Sequence, residues 1–509
     1  VNLQHWINTF HETEHRKKES AMIELLGKPN ITVDDIAIDS KAVSPGTLFV
    51  ALKGSVQDGH DYIGEAIARG ASAVLLQQPL SEAYVKSPQT TFIQVEDTKE
   101  ALKHLAPYFF DYPATKLNLI GITGTNGKTT TAYLVEALLN HAGLNTGLVS
   151  TIATRYGQCE KKALNTTPGL LDLQKIFSEM QKNTITDVVM EVSSHALDQE
   201  RVAGCSFETA VFTNLTQDHL DYHNTMEDYF SAKKALFEQT KGQWIVNLDD
   251  PWGQKLQEAA PSRVWGYGID HQQTLYPIDF KSTLAGLTMR AHTPIGEIEV
   301  SAHLSGRHNV YNILAAMGVG IISGLSKTQI SEGIASLKQV PGRFEKIDLG
   351  QNFTVIVDYA HTPDALERLL HAVEALEPKR IITCFGCGGD RDRGKRPLMG
   401  TAAAQSHVVI LTSDNPRSEA PLKIMEEIEA GISSHVKKTG KPCDYEMIPD
   451  RRQAIHRAIA LAKQGDVVVI AGKGHETDQQ IGAQVIPFDD RECARQALIQ
   501  ENKINNGKR

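Results

Sequence analysis

Residues 117–143 read LNLIGITGTNGKTTTAYLVEALLNHAG, and this stretch decides the fold. An apolar strand, Leu117 to Thr123, runs into a glycine-rich turn. A helix follows, with apolar residues at helical spacing. Glycines in such a turn let backbone N–H groups approach phosphate oxygens, and the helix N-terminus favours negative charge. Lys128 can then reach the β- and γ-phosphates of a nucleotide. The usual phosphate-loop pattern places its first glycine at position 122; here Ile122 stands there, and Gly121 lies one place earlier. The loop is therefore a variant, and mononucleotide binding is the inference it carries.

Outward from this unit the chain reads as α/β in three domains. Residues 1–116 mix short strands (Thr47 to Leu52, Ala73 to Leu76, Phe92 to Val95) with one helical stretch, Tyr62 to Arg69, as in a small α/β domain. The polar N-terminus lacks the apolar core of a secretory signal and predicts a loosely held first helix. Residues 117–340 continue with DVVMEVSS, TAVFTNLT and QWIVNLDD, then an Asn-rich helix over Asn309 to Gly320, as in a sheet covered by helices. Residues 341–509 carry their own strands (FTVIVDYA, RIITCFG, HVVILTS, DVVVIAG) and read as a Rossmann-like domain.

Composition narrows the function. The chain has 509 residues, 41% hydrophobic and 22% charged, too many for one core and too apolar for disorder. With 52 Lys and Arg against 61 Asp and Glu, its charge of −9 gives no general attraction to nucleic acid or an anionic membrane. Six scattered cysteines and no membrane-spanning apolar run fit a reducing cytoplasm. Cys384 and Cys387 have the spacing of a metal or redox pair, but no second pair lies nearby, so a structural role is expected. His219 and His223 resemble a zinc pair, yet Leu220 stands where a metalloprotease carries glutamate.

The loop GTNGKTT, followed in order by MEVSSHAL (190–197), TNLTQDHLDYH (213–223), GRHNVYNILAA (306–316), PGRFE (341–345) and VDYAHTPDAL (357–366), resembles the Mur ligase family over nearly the whole chain. The resemblance implies an N-terminal UDP-substrate-binding domain, a central P-loop ATPase domain and a C-terminal amino-acid-binding domain. It implies that Gly124, Thr125, Asn126, Gly127, Lys128, Thr129 and Thr130 hold ATP together with Asn309, Asn312, Arg343 and Asp358. Lys128, Glu191, His219 and Lys233 are the implied catalytic set. Thr129, Glu191 and His219 would bind Mg²⁺, and Lys233 would join them as a carbamate formed with CO₂. Taken singly, Glu191 also reads as an ion-paired core carboxylate and Lys233 more often as a solvated helix residue; their place in the ordered motif set reverses that.

In the first domain IDSKAVSPGTLFVALKGSVQDGHDYI looks like the UDP-binding region of the branch that adds diaminopimelate, with Ser40 its clearest carried-over residue. The family usually shows Asp-Ser-Arg there; this chain has Asp39-Ser40-Lys41, which keeps charge but forfeits fork geometry. Asn165, Thr166, Thr167, Ser193, Gln199 and Arg201 match positions that hold the UDP-muramoyl-dipeptide. Asp414, Asn415, Pro416 and Arg417 close the strand HVVILTS, and in this family that tetrapeptide accompanies meso-diaminopimelate. Diaminopimelate ends in a second amino-acid head whose carboxylate an arginine can clamp, whereas lysine ends in an ammonium that Arg417 would repel. Arg391, Gly472 and Glu476 match the same pocket. Outside the family context, the tetrapeptide reads as an Asx-Pro turn with a surface arginine.

The expectation is an ATP-dependent ligase acting as a monomer on small molecules, without nucleic acid or membrane insertion. Closure of the C-terminal domain is expected before chemistry. A lysine-adding ligase of the same family, or a P-loop ATPase or kinase with an unrelated partner domain, are the alternatives.

Overall fold

The computed structural model describes residues 1–15, 24–28, 30–54, 57–79, 89–283 and 285–506, which divide into two compact units. The first comprises Val1–Leu117 with Pro168–Lys182 and Glu200–Cys205. Its five-stranded sheet runs in the order Glu24–Leu26, Thr91–Gln94, Ala73–Leu76, Thr47–Val50, Asp35–Ala37, parallel except at the Glu24–Leu26 edge. Alternation decides its two cores: Leu48, Val50, Leu75 and Ile93 face one side, and Phe49, Val74, Leu76 and Phe92 the other. The first helix, Leu3–His15, is not loosely held. Leu3, Trp6, Ile7 and Phe10 follow i, i+3, i+4, i+7 spacing and are buried beside the helix Thr98–Phe109. Each such side chain contributes roughly 1.5–3 kcal/mol by leaving water.

The second unit comprises Asn118–Thr167, Asn183–Gln199 and Ser206–Arg509. Six parallel strands run in the order Val264–Tyr267, Trp244–Asn247, Phe207–Phe212, Asn118–Thr123, Asp187–Glu191, Thr146–Val149. The strands Ala153–Tyr156 and Cys159–Lys162 extend this sheet antiparallel. The helix Lys128–His141 packs against Arg307–Ile322 and Lys327–Ser336, and a Cβ on Gly333 would come within 2.9 Å of the Leu138 backbone. A three-stranded antiparallel sheet, Tyr276–Thr283, Gly286–His292 and Ile298–Ala302, was not foreseen from the sequence. Its middle strand turns Leu287, Met289 and Ala291 into the core and Thr288, Arg290 and His292 out, the strict alternation of a one-sided sheet.

Further along, Glu345–Ile347 pairs antiparallel with Thr354–Asp358, which is followed across the sheet by the parallel strands Val467–Ala471, Ile381–Phe385, Val408–Leu411 and Asp444–Met447. Val468 and Ile470 belong to one core and Val467 and Val469 to the other, which explains why this strand reads as unbroken apolar sequence. Cys384 and Cys387 are buried free thiols pushed up to about 12 by burial. Among the described residues no helix is long and apolar enough to cross a membrane.

Candidate functional site

Gly124, with φ +144°, opens the turn after the strand Asn118–Thr123, and Gly127, φ +89°, closes it at the helix start. A Cβ on Gly124 would sit 1.9 Å from Thr213 Oγ1, and one on Gly127 would sit 2.6 Å from Asn312 Oδ1, so only glycine fits either place. The loop is laced to the neighbouring strand end: Thr125 N donates to Asn214 O (2.8 Å), Asn126 N to Asn214 Oδ1 (2.9 Å), and Thr213 Oγ1 to Asn126 O (2.7 Å). Lys128 Nζ folds back onto Gly124 O and Thr125 O, both at 2.9 Å, and burial lowers its pKa.

One cavity is lined by the phosphate loop from Thr125 to Thr130 and by Glu191, His219, Asn309, Asn312, Arg343 and Asp358. Every expected nucleotide residue except Gly124 thus meets one space, and Gly124 is joined to it through Lys128, which donates to its carbonyl. Arg343 donates to Thr129 Oγ1 (3.2 Å) and stacks 4.3 Å from the Tyr359 ring centre. Asp358 ends its strand by accepting from Phe344 N (2.6 Å) and Ala360 N (2.8 Å), and burial raises its pKa. Asn309 and Asn312 lie one helical turn apart and are joined by a 2.8 Å hydrogen bond.

Glu191 is fully buried without an ion-pair partner among the described residues; it accepts from Thr129 Oγ1 (3.0 Å), Thr151 N (2.9 Å) and Thr151 Oγ1 (3.1 Å). A hydroxyl beside a carboxylate at a phosphate loop is a hard oxygen set of the kind magnesium takes. His219, at φ +55°, lies 3.4 Å from Asp218, and burial holds its imidazole below the usual range. No group of three His, Cys, Asp or Glu side chains is gathered for a metal among the described residues. Lys233 is buried, not solvated: Nζ donates to Gly124 O (3.0 Å) and lies 4.4 Å from the Tyr229 ring centre. Burial, then the neighbouring Lys128, drives its pKa well down.

Sequence reasoning passed over Asp218, His361 and Lys395. Although burial opposes it, His219, His361 and Lys395 together hold the Asp218 carboxyl below its ordinary value. Asp218 and His361 sat inside quoted motifs, but nothing in a linear pattern shows that separate loops meet.

A second group converges at the carboxyl ends of the parallel strands Ile381–Phe385, Val408–Leu411 and Val467–Ala471, where open α/β sheets place ligands. Arg417, at φ +50°, donates from Nη1 to Gly389 O (2.6 Å), and its backbone is tied to Gln480 O (3.2 Å) and Gly482 N (2.7 Å). Arg391 and Arg417 flank Gly388: a Cβ there would be 3.7 Å from Arg391 Cγ and 3.0 Å from Arg417 Nη1. Pro416 presses its carbonyl on Gly389, and Gly472, φ +112°, leaves room for Asp414 Oδ2. Asn415 Nδ2 donates to Glu476 Oε2 (3.1 Å). Burial, then Asp414, raises the Glu476 pKa.

The expected dipeptide residues fall in both units. Ser40 belongs to the first; it is buried and donates to Glu65 Oε2 (2.8 Å), while Lys41 is exposed. Arg201 belongs to the first unit, and Asn165, Thr166, Thr167, Ser193 and Gln199 to the second. Thr167 Oγ1 donates to Glu191 O (2.9 Å) and receives Ser193 N (3.0 Å), and Ser193 caps the short helix Ser194–Asp198. Thr166 lines the nucleotide cavity, whereas Asn165 and Gln199 are exposed.

Three family models match: the Mur ligase family catalytic domain over 32–110, the Mur ligase middle domain over 122–320, and the Mur ligase glutamate ligase domain over 342–474. The UDP-N-acetylmuramoyl-L-alanyl-D-glutamate–2,6-diaminopimelate ligase of Geobacillus thermodenitrificans is 45% identical, covering 93% of this chain and 96% of that one. The ligase of the same name from Solibacter usitatus is 48% identical, over 92% and 93%. A solved structure of a UDP-N-acetylmuramoyl-L-alanyl-D-glutamate–2,6-diaminopimelate ligase superposes with a TM-score of 0.63 at 32% identity, covering 92% and 95%. Matched over 93% of its length by such a relative and by three consecutive domain models between residues 32 and 474, the chain belongs to the Mur ligase family.

Proposed function

We infer that this protein joins meso-diaminopimelate to UDP-N-acetylmuramoyl-L-alanyl-D-glutamate at the expense of ATP, making the tripeptide precursor of peptidoglycan. The observation that carries this reading is the cluster at the strand ends, where Arg391 and Arg417 flank Gly388 and Asn415 holds Glu476, in the same unit as the phosphate-loop cavity. Relatives of that activity at 45–48% identity support it.

The D-glutamyl γ-carboxylate attacks the γ-phosphorus of ATP, ADP departs, and an acyl phosphate results. Lys128, once it leaves the carbonyls of Gly124 and Thr125, meets the charge that develops on the phosphoryl oxygens. The neutral amine of diaminopimelate then attacks the acyl carbon, loses its proton, and phosphate leaves. Arg391 and Arg417 hold the distal carboxylate, and Glu476 the distal ammonium. Thr129, Glu191 and His219 would hold magnesium, which when bound neutralises charge on the transferring phosphate. Lys233 is read as the carbamylated lysine of the family; its buried amine favours the neutral form, the one that adds CO₂. Residues 1–116 are assigned to the UDP end, with Ser40 contacting it.

The test is phosphate release with ATP and the UDP-muramoyl-dipeptide, run with meso-diaminopimelate and lysine in parallel. Release with diaminopimelate alone is expected. Activity with lysine alone sinks the substrate assignment, and full turnover without any amino acid indicates an ATPase.

A further inference from the structure

Lys473 begins the loop Lys473-Gly-His-Glu476 that follows the strand Val467–Ala471 and Gly472. Its side chain is fully buried, yet it ends in a cation. A buried ammonium is costly unless paired and hydrogen-bonded. Here it is both: Nζ donates to Glu476 Oε2 at 2.5 Å and to Asn415 Oδ1 at 3.1 Å. Asn415 Nδ2 reaches the same oxygen of Glu476 at 3.1 Å, so lysine, asparagine and glutamate form a closed triangle across two strand-end loops. Both contacts fall on Oε2. Oε1 has no hydrogen-bond partner among the described residues, and the Glu476 side chain remains 28% exposed.

We propose that Lys473 is a positioning and specificity-determining residue: buried behind Glu476, it fixes that carboxylate through Oε2 and leaves Oε1 aimed at the ammonium group of an acceptor that carries an extra carboxylate. This rests on the acceptor assignment made above.

Charge balance gives the second line of support. At the strand ends Lys473 adds one positive charge directly behind Glu476, on the side of the fold where Arg391 and Arg417 also stand. Diaminopimelate with its reacting amine neutral carries two carboxylates and one ammonium, one negative charge in excess. Lysine in the same state is neutral overall. Without Lys473 the strand ends lose one positive charge, and their electrostatic preference for diaminopimelate over lysine falls. Lys473 also opposes protonation of Glu476. Burial, Asp414 on the neighbouring loop and the nearby Tyr359 hydroxyl all meet that carboxyl; of these, burial and Asp414 favour its protonation, and Lys473 and Asn415 oppose it.

The experiment is steady-state phosphate release by the full chain, with KM for diaminopimelate and for ATP measured across pH for wild type, K473M, K473Q and K473R. In K473M, KM for diaminopimelate should rise at least about tenfold while KM for ATP stays within about twofold. The acid limb of kcat/KM for diaminopimelate should move up by about one pH unit or more, because Glu476 loses the cation that opposes its protonation. K473Q keeps a donor for Asn415 and Glu476 without the charge, so it carries the same test should K473M not fold. K473R should restore the wild-type limb. An unshifted limb with unchanged KM in both neutral variants, or equal rises in KM for ATP and diaminopimelate, overturns the proposal while leaving the acceptor assignment standing. A wild type inactive with diaminopimelate overturns both.

Discussion

Replacing Arg417 by alanine tests the residue proposed above to set the choice of amino acid. Arg417 sits at φ +50°, a left-handed conformation that any Cβ strains by about 1–2 kcal/mol. Alanine keeps that Cβ, so the strain cancels and the difference reports the guanidinium. In the free protein the group donates one hydrogen bond, to Gly389 O at 2.6 Å, and its Nη1 lies over Gly388 beside Arg391. A hydrogen bond to a charged group is worth about 1.5–3 kcal/mol. At about 1.4 kcal/mol per factor of ten, R417A should weaken diaminopimelate by about 10- to 150-fold in KM. Arg417 does not line the nucleotide cavity, so KM for ATP should change by less than about twofold. R417K should recover part of the loss, because it restores charge without the fork. Phosphate release with each substrate varied in turn measures all three. An R417A protein with wild-type KM for diaminopimelate, or one whose ATP and diaminopimelate constants rise together, refutes the reasoning.

Three further outcomes follow from the same geometry. G124A should abolish nucleotide binding in a fluorescent-ATP titration, because its Cβ would lie 1.9 Å from Thr213 Oγ1 and the loop must deform; near-normal affinity would count against this loop geometry. Asp490 and Arg451 form a fully buried pair at 2.6 Å, so D490N leaves a buried cation uncompensated and should cost about 3–5 kcal/mol in urea unfolding; a loss under about 1 kcal/mol would show the pair is dispensable. The hydrogen bonds from Arg396 hold the Glu419 carboxyl down to about 2 against an ordinary 4.5. A depressed carboxylate stabilises above its unfolded value and loses that stabilisation as pH falls from about 4.5 towards 2. E419Q should therefore flatten the acid slope of stability, and an unchanged slope would place the effect elsewhere.

What could be read from the chain divides by the kind of signal. The phosphate loop announced itself because strand, glycines, Lys128 and helix are contiguous, so one short stretch carries the whole device. The strand Val467–Ala471 was visible because burial on both faces makes it apolar throughout. The sheet Tyr276–Ala302 was missed because its strands have one wet face, and Lys281, Arg290 and Glu299 dilute the pattern. The first helix looked loose because its polar residues dominate the composition, yet Leu3, Trp6, Ile7 and Phe10 make one packed stripe. Lys473 was hidden for the opposite reason: it stands between Gly472 and Gly474 in a polar loop, where a lysine reads as solvated, and only the fold puts Asn415 and Glu476 around it.

The two halves of the site are held together by backbone, and this bears on the order of the chemistry. Gly342 precedes Arg343 in the nucleotide cavity, and Gly474 precedes His475 and Glu476 in the proposed acceptor cluster. A Cβ on Gly342 would lie 2.1 Å from His475 N, and one on Gly474 would lie 2.7 Å from Gly342 O and 2.8 Å from Tyr359 Cβ. Both glycines have positive φ, at +65° and +53°, so the loops touch main chain to main chain. Tyr359 fills the seam, stacked on Arg343 at 4.3 Å and 5.1 Å from the His475 ring. An acyl phosphate is labile in water, so the amine must wait close to the carbonyl carbon that the new phosphate has activated. Loops in main-chain contact, with one aromatic ring packed beside them, shorten that distance without needing a long side chain to span it. The same contact ties the position of Glu476 to that of Arg343, so an acceptor bound at the strand ends bears on the wall of the nucleotide cavity.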